Sequence, residues 1–166
     1  QPADEIIIVD DGSTDNTVET VRTFGSKVRL ITQPNAGASV ARNTGVAAAK
    51  SDWIAFLDAD DEWLPEKIHA QIELFRQFSH LKWGYANYLT NYSGKQWHKR
   101  SALPAPKQHY MEDYLDAYCK GFHAWTGTVM IHRSVFDTVG LFEPGMKRAQ
   151  DNDLWFRIAY QFPQVG

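Results

Sequence analysis

The sequence has few cysteines, no long apolar run and little net charge. Cys119 is the only cysteine among 166 residues, which excludes an intramolecular disulfide and fits a reducing compartment. No apolar stretch approaches the roughly 20 residues that a membrane-crossing helix needs. The formal net charge is −3 and basic residues form no run, so a nucleic-acid track is not expected.

Several familiar catalytic and metal motifs are also missing. The chain has neither a dinucleotide fingerprint nor a lysine-containing phosphate loop. It has no glycine-flanked nucleophilic serine, no histidine pair at zinc-binding spacing and no second cysteine. A calcium loop starting at Asp58 fails, because its sixth position is Trp63 instead of glycine and its twelfth is His69 instead of glutamate.

What is present favours one α/β domain over residues 1–166, since 43% of the residues are hydrophobic. Apolar patterns predict strands and helices in alternation, which implies parallel pairing with right-handed crossovers. The first half is predicted to contain strands at Glu5–Val9, Val28–Thr32 and Trp53–Leu57, and helices at 14–24, at 38–49 and from Pro65 onwards. The second half is predicted to contain strands at 83–91 and 127–131, helices at 111–120, 134–139 and 151–162, a turn at 92–95 and a polar loop at 99–110.

An acidic cluster, Asp58-Ala59-Asp60-Asp61, follows the third predicted strand. Three carboxylates at a strand end repel each other unless a cation, hydrogen bonds or solvent offset the charge. Mg²⁺ and Mn²⁺ prefer oxygen ligands and usually share them with substrate phosphates, so the cluster predicts a metal-assisted phosphate site. The alternative is that Asp61 or Glu62 caps the next helix.

Two further polar segments follow the first two strands. Asp11 could accept a hydrogen bond from a nucleobase, and Gly12 would admit a ligand close to the backbone; the alternative is a turn with Ser13 as a helix cap. Arg42 could neutralise an anion or hold a carboxylate. Because ligands of open α/β sheets bind beyond the carboxyl ends of strands, we expect Asp11 and the acidic cluster to face one crevice.

The last predicted helix begins with acidic residues. Asp151 or Asp153 could act as a general base if its carboxylate reached an attacking hydroxyl. Either could equally cap the helix, and this segment alone does not decide between these roles. The second half is also rich in aromatic residues, which stack on sugar rings as well as fill cores.

Taken in order, several strings resemble the family 2 glycosyltransferases of the GT-A fold over nearly the whole chain. The resemblance implies an α/β, Rossmann-like and mostly parallel sheet flanked by helices, with residues 1–90 as the nucleotide-binding half and 91–166 as the acceptor half. The matching strings are 5–15, 35–37 with 41–45, 56–61, 126–130 with Arg133, 140–143 and 151–155.

The resemblance implies metal-dependent, inverting transfer of a sugar from a nucleotide diphosphate donor, most commonly a UDP-sugar, to an acceptor hydroxyl. Asp11 matches the aspartate that contacts the nucleobase. Asp58 and Asp60 match the Asp-x-Asp motif, in which Asp60 would bind Mn²⁺ or Mg²⁺ and Asp58 would lie near the ribose or the metal. Asp151 matches the base that deprotonates the acceptor.

The same resemblance suggests a carbohydrate or lipid-linked acceptor, a role in cell-surface polysaccharide synthesis and a cytoplasmic protein at or near the inner membrane face. It leaves homo-oligomerisation open. Two features depart from the family pattern. Gln150 replaces the glutamate of the Glu-Asp pair, and the chain starts at the family's usual second strand, so we expect a fragment of a longer protein. The rival interpretations are a nucleotidyltransferase of similar architecture and a non-catalytic nucleotide- or sugar-binding module.

Overall fold

The computed structural model describes residues 2–92, 95–99 and 109–166, and only the backbone of 90–92 and 95–99. The tip of the turn predicted at 92–95 and most of the loop predicted at 99–110 lie outside the described residues. The strands are β1 Ile7–Asp10, β2 Arg29–Thr32, β3 Trp53–Ala55, β4 Trp83–Tyr85, β5 Tyr88–Tyr92, β6 Lys95–Lys99 and β7 Val129–His132. The helices are α1 Thr17–Arg22, α2 Ala38–Ala48, α3 Lys67–Gln77, α4 Tyr114–Cys119, α5 Ser134–Val139 and α6 Gln150–Gln161.

The first two strands form the parallel pair that the sequence predicts. β1 and β2 run in register from Ile7 opposite Arg29 to Asp10 opposite Thr32, with α1 as the crossover. The continuous β-branched run in Glu5–Val9 is typical of a strand buried on both faces, but the structure does not bury it in that way. Ile6 is 49% exposed and residues 7–9 are half-buried, since β1 pairs only with β2 within the described ranges.

The third strand departs from the expected parallel order. β3 pairs antiparallel with β7, whose other edge pairs antiparallel with β4, so the predicted parallel pairing does not extend beyond β2. The α/β class itself is confirmed. Antiparallel pairing places the end of β3 beside the beginning of β7, with Ala55 opposite Met130. The acidic segment after β3 therefore meets the short 3₁₀ turn Thr126–Thr128 that precedes β7.

One buried cluster draws its residues from both halves of the chain. Val46 and Phe56 pack in the same cluster as Trp83, Tyr114 and Trp155. The last three side chains are completely buried, and the burial of such large aromatic rings dominates a core of this size. The residues that follow β3 and those that begin α6 are therefore supported by the same core.

No helix in the described part of the chain is long and apolar enough to cross a bilayer.

Candidate functional site

The acidic segment after β3 is fastened to the turn before β7. Trp63 donates its Nε1–H to the carbonyl oxygen of Gly127 at 2.7 Å. A Cβ added at Gly127 would lie 3.0 Å from Oδ2 of Asp61, so only glycine allows this approach without a shift. Burial raises the pKa of Asp61, and the carboxylates of Asp60 and Asp58 raise it further. The segment thus holds an excess of negative charge that a bound cation would relieve.

Helix capping does not explain Asp61. α3 begins at Lys67, its N-cap is Glu66, and no side chain caps it. Neither Asp61 nor Glu62 therefore takes the capping role that the sequence left open.

Arg42 holds a carboxylate. From the second turn of α2, its Nη2 lies 2.7 and 3.0 Å from the two oxygens of Asp58. Its guanidinium also lies 5.5 Å from the centre of the Phe142 ring, and its Nη1 is buried without a hydrogen-bond partner in the described structure. Asp58 is therefore already neutralised by the protein.

Two carboxylates of this segment, those of Asp60 and Asp61, make no hydrogen bond or ion pair with a described residue. Of the two, Asp61 lies against Gly127, and Asp60 is the one that matches the Asp-x-Asp motif. No group of three acidic, histidine or cysteine side chains in the described ranges converges into a complete metal cage. A divalent ion held by one or two carboxylates and completed by substrate phosphates is the arrangement that Mg²⁺ and Mn²⁺ prefer. The donor set fits such an ion.

Asp11 anchors the loop between β2 and α2. Its Oδ1 accepts hydrogen bonds from Gln33 Nε2 at 2.7 Å and from the amide of Ala36 at 2.9 Å, and its Oδ2 accepts from the amide of Gly37 at 2.8 Å. These bonds lower the pKa of Asp11, and the bond from the amide of Ala36 contributes most to that shift. The hydroxyl of Thr44 in turn donates to Gln33 Oε1 at 2.7 Å.

The beginning of α2 joins the two acidic groups. The Asp11 carboxylate binds the amides just before this helix, and Arg42 of the same helix binds Asp58. Asn43 extends the connection to the second half of the chain. Its Nδ2 donates to the carbonyl of Phe142 at 2.8 Å, and its Oδ1 accepts from the amide of Phe142 at 3.0 Å.

The two aspartates of α6 differ in their contacts. Asp153 Oδ2 accepts from Arg157 Nε at 3.0 Å and from Nη2 at 2.7 Å. Arg157 also donates to the carbonyls of Val139 and Leu141, which fixes α6 to the end of α5. Asp151 Oδ1 accepts only the amide of Asn152, at 2.8 Å.

Asp151 lies close enough to the buried Tyr114 to influence its pKa. Burial raises the pKa of Tyr114 to about 12, with smaller contributions from Tyr118 and the Asp151 carboxylate. Ala149, in the left-handed region at φ 58°, is the N-cap of α6, and no side chain caps that helix. Neither aspartate is therefore the N-cap residue, although Asp151 accepts the first-turn amide of Asn152. Of the two, only Asp151 has a carboxylate without a cationic partner.

Phe142 connects Asp151's helix to the acidic segment. Its ring centre lies 5.9 Å from that of Trp155 on α6 and 5.3 Å from that of Phe56, which follows β3. Within the described ranges, no hydrogen bond or ion pair joins Asp151 directly to Asp58 or Asp60.

The sequence did not single out three residues of this region as site residues: Arg157, Asn43 and Trp63. The spacing of four between Asp153 and Arg157 on a predicted helix would have revealed their ion pair. Asn43 appeared only within a matching string. The bond from Trp63 to Gly127 spans 64 residues and has no local signal.

Comparison with known proteins identifies the family and the fold. The sequence model of glycosyl transferase family 2 matches residues 1–140. The UDP-Glc:alpha-D-GlcNAc-diphosphoundecaprenol beta-1,3-glucosyltransferase WfgD of Escherichia coli is 40% identical over 86 residues, covering 51% of this chain and 34% of WfgD. The glycosyltransferases RP339 of Rickettsia prowazekii and RT0329 of Rickettsia typhi are 29% and 28% identical over 161 residues, covering 93% of this chain and 49% of each relative, so the chain spans about half of their length.

Two solved GT-A glycosyltransferases share the fold. S. aureus TarS 1-349 in complex with UDP-GlcNAc matches 97% of this chain and 46% of its own, with a TM-score of 0.74 and 18% identity. The mannosyltransferase PcManGT from Pyrobaculum calidifontis was solved in complex with GDP-Man and Mn²⁺. The match covers 97% of this chain and 44% of PcManGT, with a TM-score of 0.68 and 17% identity. The chain therefore belongs to glycosyl transferase family 2 and has the GT-A fold.

Proposed function

We propose that the protein is a metal-dependent inverting glycosyltransferase that moves a sugar from a UDP-sugar to an acceptor hydroxyl. One observation carries the proposal beyond family membership. At the end of β3, the open carboxylate of Asp60 stands beside Asp58, which Arg42 already holds, and beside Asp61, which is packed against Gly127. This arrangement leaves the Asp60 carboxylate without a protein partner and available to a cation and its phosphate ligand.

Each residue has a separate role in this proposal. Asp60 would hold Mn²⁺ or Mg²⁺, which would neutralise the charge on the leaving diphosphate. Asp58, oriented by Arg42, would lie beside the ribose or the metal. Asp11 would fix the loop before α2 and turn its remaining acceptor capacity towards the nucleobase, since a carboxylate offers about four acceptor positions and three are used here.

Asp151 is the proposed general base. The acceptor oxygen would attack the anomeric carbon, the bond from that carbon to the diphosphate oxygen would break, and the acceptor proton would pass to the Asp151 carboxylate. Asp153 is less suited, because its carboxylate already accepts two hydrogen bonds from the Arg157 guanidinium.

The names of related proteins support the donor and acceptor classes. TarS was solved with UDP-GlcNAc, and the name of WfgD specifies a UDP-glucose donor and a diphosphoundecaprenol-linked acceptor. We extend these to a UDP-sugar donor, a carbohydrate or lipid-linked acceptor, and a role in cell-surface polysaccharide synthesis.

The role of Asp151 is tested by Asp151→Asn, measured by sugar transfer from UDP-glucose and UDP-N-acetylglucosamine to a lipid-linked GlcNAc acceptor. Transfer should fall by roughly two decades or more while UDP and Mn²⁺ affinities stay nearly intact, because only the proton acceptor is lost. Asp153→Asn is the matched comparison and should retain far more activity. Transfer within about threefold of the unaltered protein in Asp151→Asn would assign the base to Asp153 or another group.

A further inference from the structure

We propose that the exposed indole of Trp125 is a stacking platform for a pyranose ring of the acceptor. The inference rests on the proposed function and adds a carbohydrate subsite to it. Several large aromatic side chains fill the core, and Trp83, Tyr114 and Trp155 are completely buried. Trp125 is 53% exposed.

The ring of Trp125 has a firm support. Its centre lies 5.5 Å from that of the Tyr88 ring, at an interplanar angle of 60°. The buried Thr128 fixes its backbone: the Thr128 hydroxyl donates to the carbonyl of Trp125 at 2.7 Å and accepts from its amide at 3.2 Å, and the Thr128 amide donates to the same carbonyl at 2.8 Å. An apolar surface held in this way loses little conformational entropy when a ligand covers it.

The position of Trp125 connects it to the proposed site. It immediately precedes the turn Thr126–Thr128, in which Gly127 packs against Asp61 and accepts the hydrogen bond from Trp63. An exposed aromatic face is thus fixed two residues from the point of contact with the acidic segment. Rings of this kind cover the apolar C–H face of a pyranose, while nearby carboxylates accept hydrogen bonds from its hydroxyl groups.

An exposed aromatic residue could also be incidental, because single surface hydrophobics are common. Phe24 supplies the comparison within the same chain. It is 54% exposed, nearly the same as Trp125, but it lies between α1 and the start of β2, at the other end of the parallel β1–β2 pair from Asp11. A generic effect of removing an exposed ring should appear at both positions.

The test is saturation-transfer NMR of methyl β-D-glucopyranoside and methyl N-acetyl-β-D-glucosaminide with the chain in the presence of UDP and Mn²⁺. Titrations of the unaltered chain, Trp125→Ala, Trp125→Phe and Phe24→Ala are compared. Trp125→Ala should weaken pyranoside binding about tenfold, Trp125→Phe about two- to threefold, and Phe24→Ala not at all. UDP affinity, measured by calorimetry on the same samples, should stay within twofold in all four.

The subsite is overturned if Trp125→Ala binds the pyranosides as tightly as the unaltered chain, or if Phe24→Ala weakens binding equally. It is also overturned if neither pyranoside binds while UDP does, or if UDP affinity falls in parallel with pyranoside affinity in Trp125→Ala. Failure of the unaltered chain to bind UDP with Mn²⁺ would instead remove the proposed function on which the subsite rests.

Discussion

Lys67 shows how a single buried residue near the site affects stability. Its Nζ lies 4.3 Å from the centre of the Trp63 ring and has no hydrogen-bond partner among the described residues. Burial lowers the pKa of Lys67 to about 8. The attraction of the cation to the Trp63 ring offsets only part of the cost of burying the charge.

The pH dependence of stability should report this cost. Between pH 8 and the ordinary lysine pKa of 10.5, the unfolded chain binds a proton that the folded chain has released, so the free energy of unfolding should rise with pH over this interval. Lys67→Met should remove that rise and raise the free energy of unfolding at pH 7 by about 1–2 kcal/mol. Urea unfolding between pH 7 and 10.5 measures both effects.

Lys27→Met, at an exposed lysine, is the matched control and should keep the slope of the unaltered protein. A slope that persists in Lys67→Met would show that another group releases the proton.

At the scale of the elements, the carboxylate of Asp11 orders the loop that leads into α2. Three donors of residues 33–37 converge on it, and their bonds lower its pKa. A group with a lowered pKa stabilises the fold above its unfolded pKa, near 3.8 here, and this contribution is lost as pH falls through the folded value.

Asp11→Asn should therefore lower the free energy of unfolding at pH 7 by more than at pH 2–3, since an amide offers one acceptor oxygen where the carboxylate offers two. UDP affinity should fall as the loop loosens. Thermal unfolding across this pH range, together with UDP titration, measures both effects. Asp4→Asn, at an exposed aspartate, serves as the control. If Asp11→Asn lost equal stability at pH 7 and at pH 2–3, the ionisation of Asp11 would not be the source of the pH dependence.

Local sequence patterns predicted the positions of the helices and strands better than they predicted which strands pair. The period of the apolar residues located α2 and placed α5 at Ser134–Val139, because helix periodicity is contained within one segment. It did not reveal that β3 pairs with β7, since the partner lies about 75 residues away and either direction of pairing fits the same apolar run.

The same limit applies to the candidate site. Residue types alone identified the acidic segment. They did not decide whether Arg42 binds a ligand anion or a carboxylate of the protein, which the contact with Asp58 shows. They also could not separate an exposed Trp125 from the buried tryptophans, because composition carries no information on which ring faces the solvent.

At the scale of the whole molecule, long-range contacts hold the candidate site together. Asn43 binds both backbone groups of Phe142, and Arg133 binds the carbonyls of Ser51 and Ala49. Several residues of the family-like strings therefore join distant segments rather than face a ligand. The central claim of the proposed function is that Asp60 holds the metal that binds the donor phosphate.

Calorimetric titration of UDP with and without Mn²⁺ tests that claim most directly, using the unaltered chain, Asp60→Asn and the exposed control Asp137→Asn. UDP should bind the unaltered chain and Asp137→Asn only when Mn²⁺ is present. Asp60→Asn should weaken this binding tenfold or more without lowering the thermal stability, because it removes a metal ligand and also relieves repulsion. Binding that needs no Mn²⁺, or that survives unchanged in Asp60→Asn, would contradict the account.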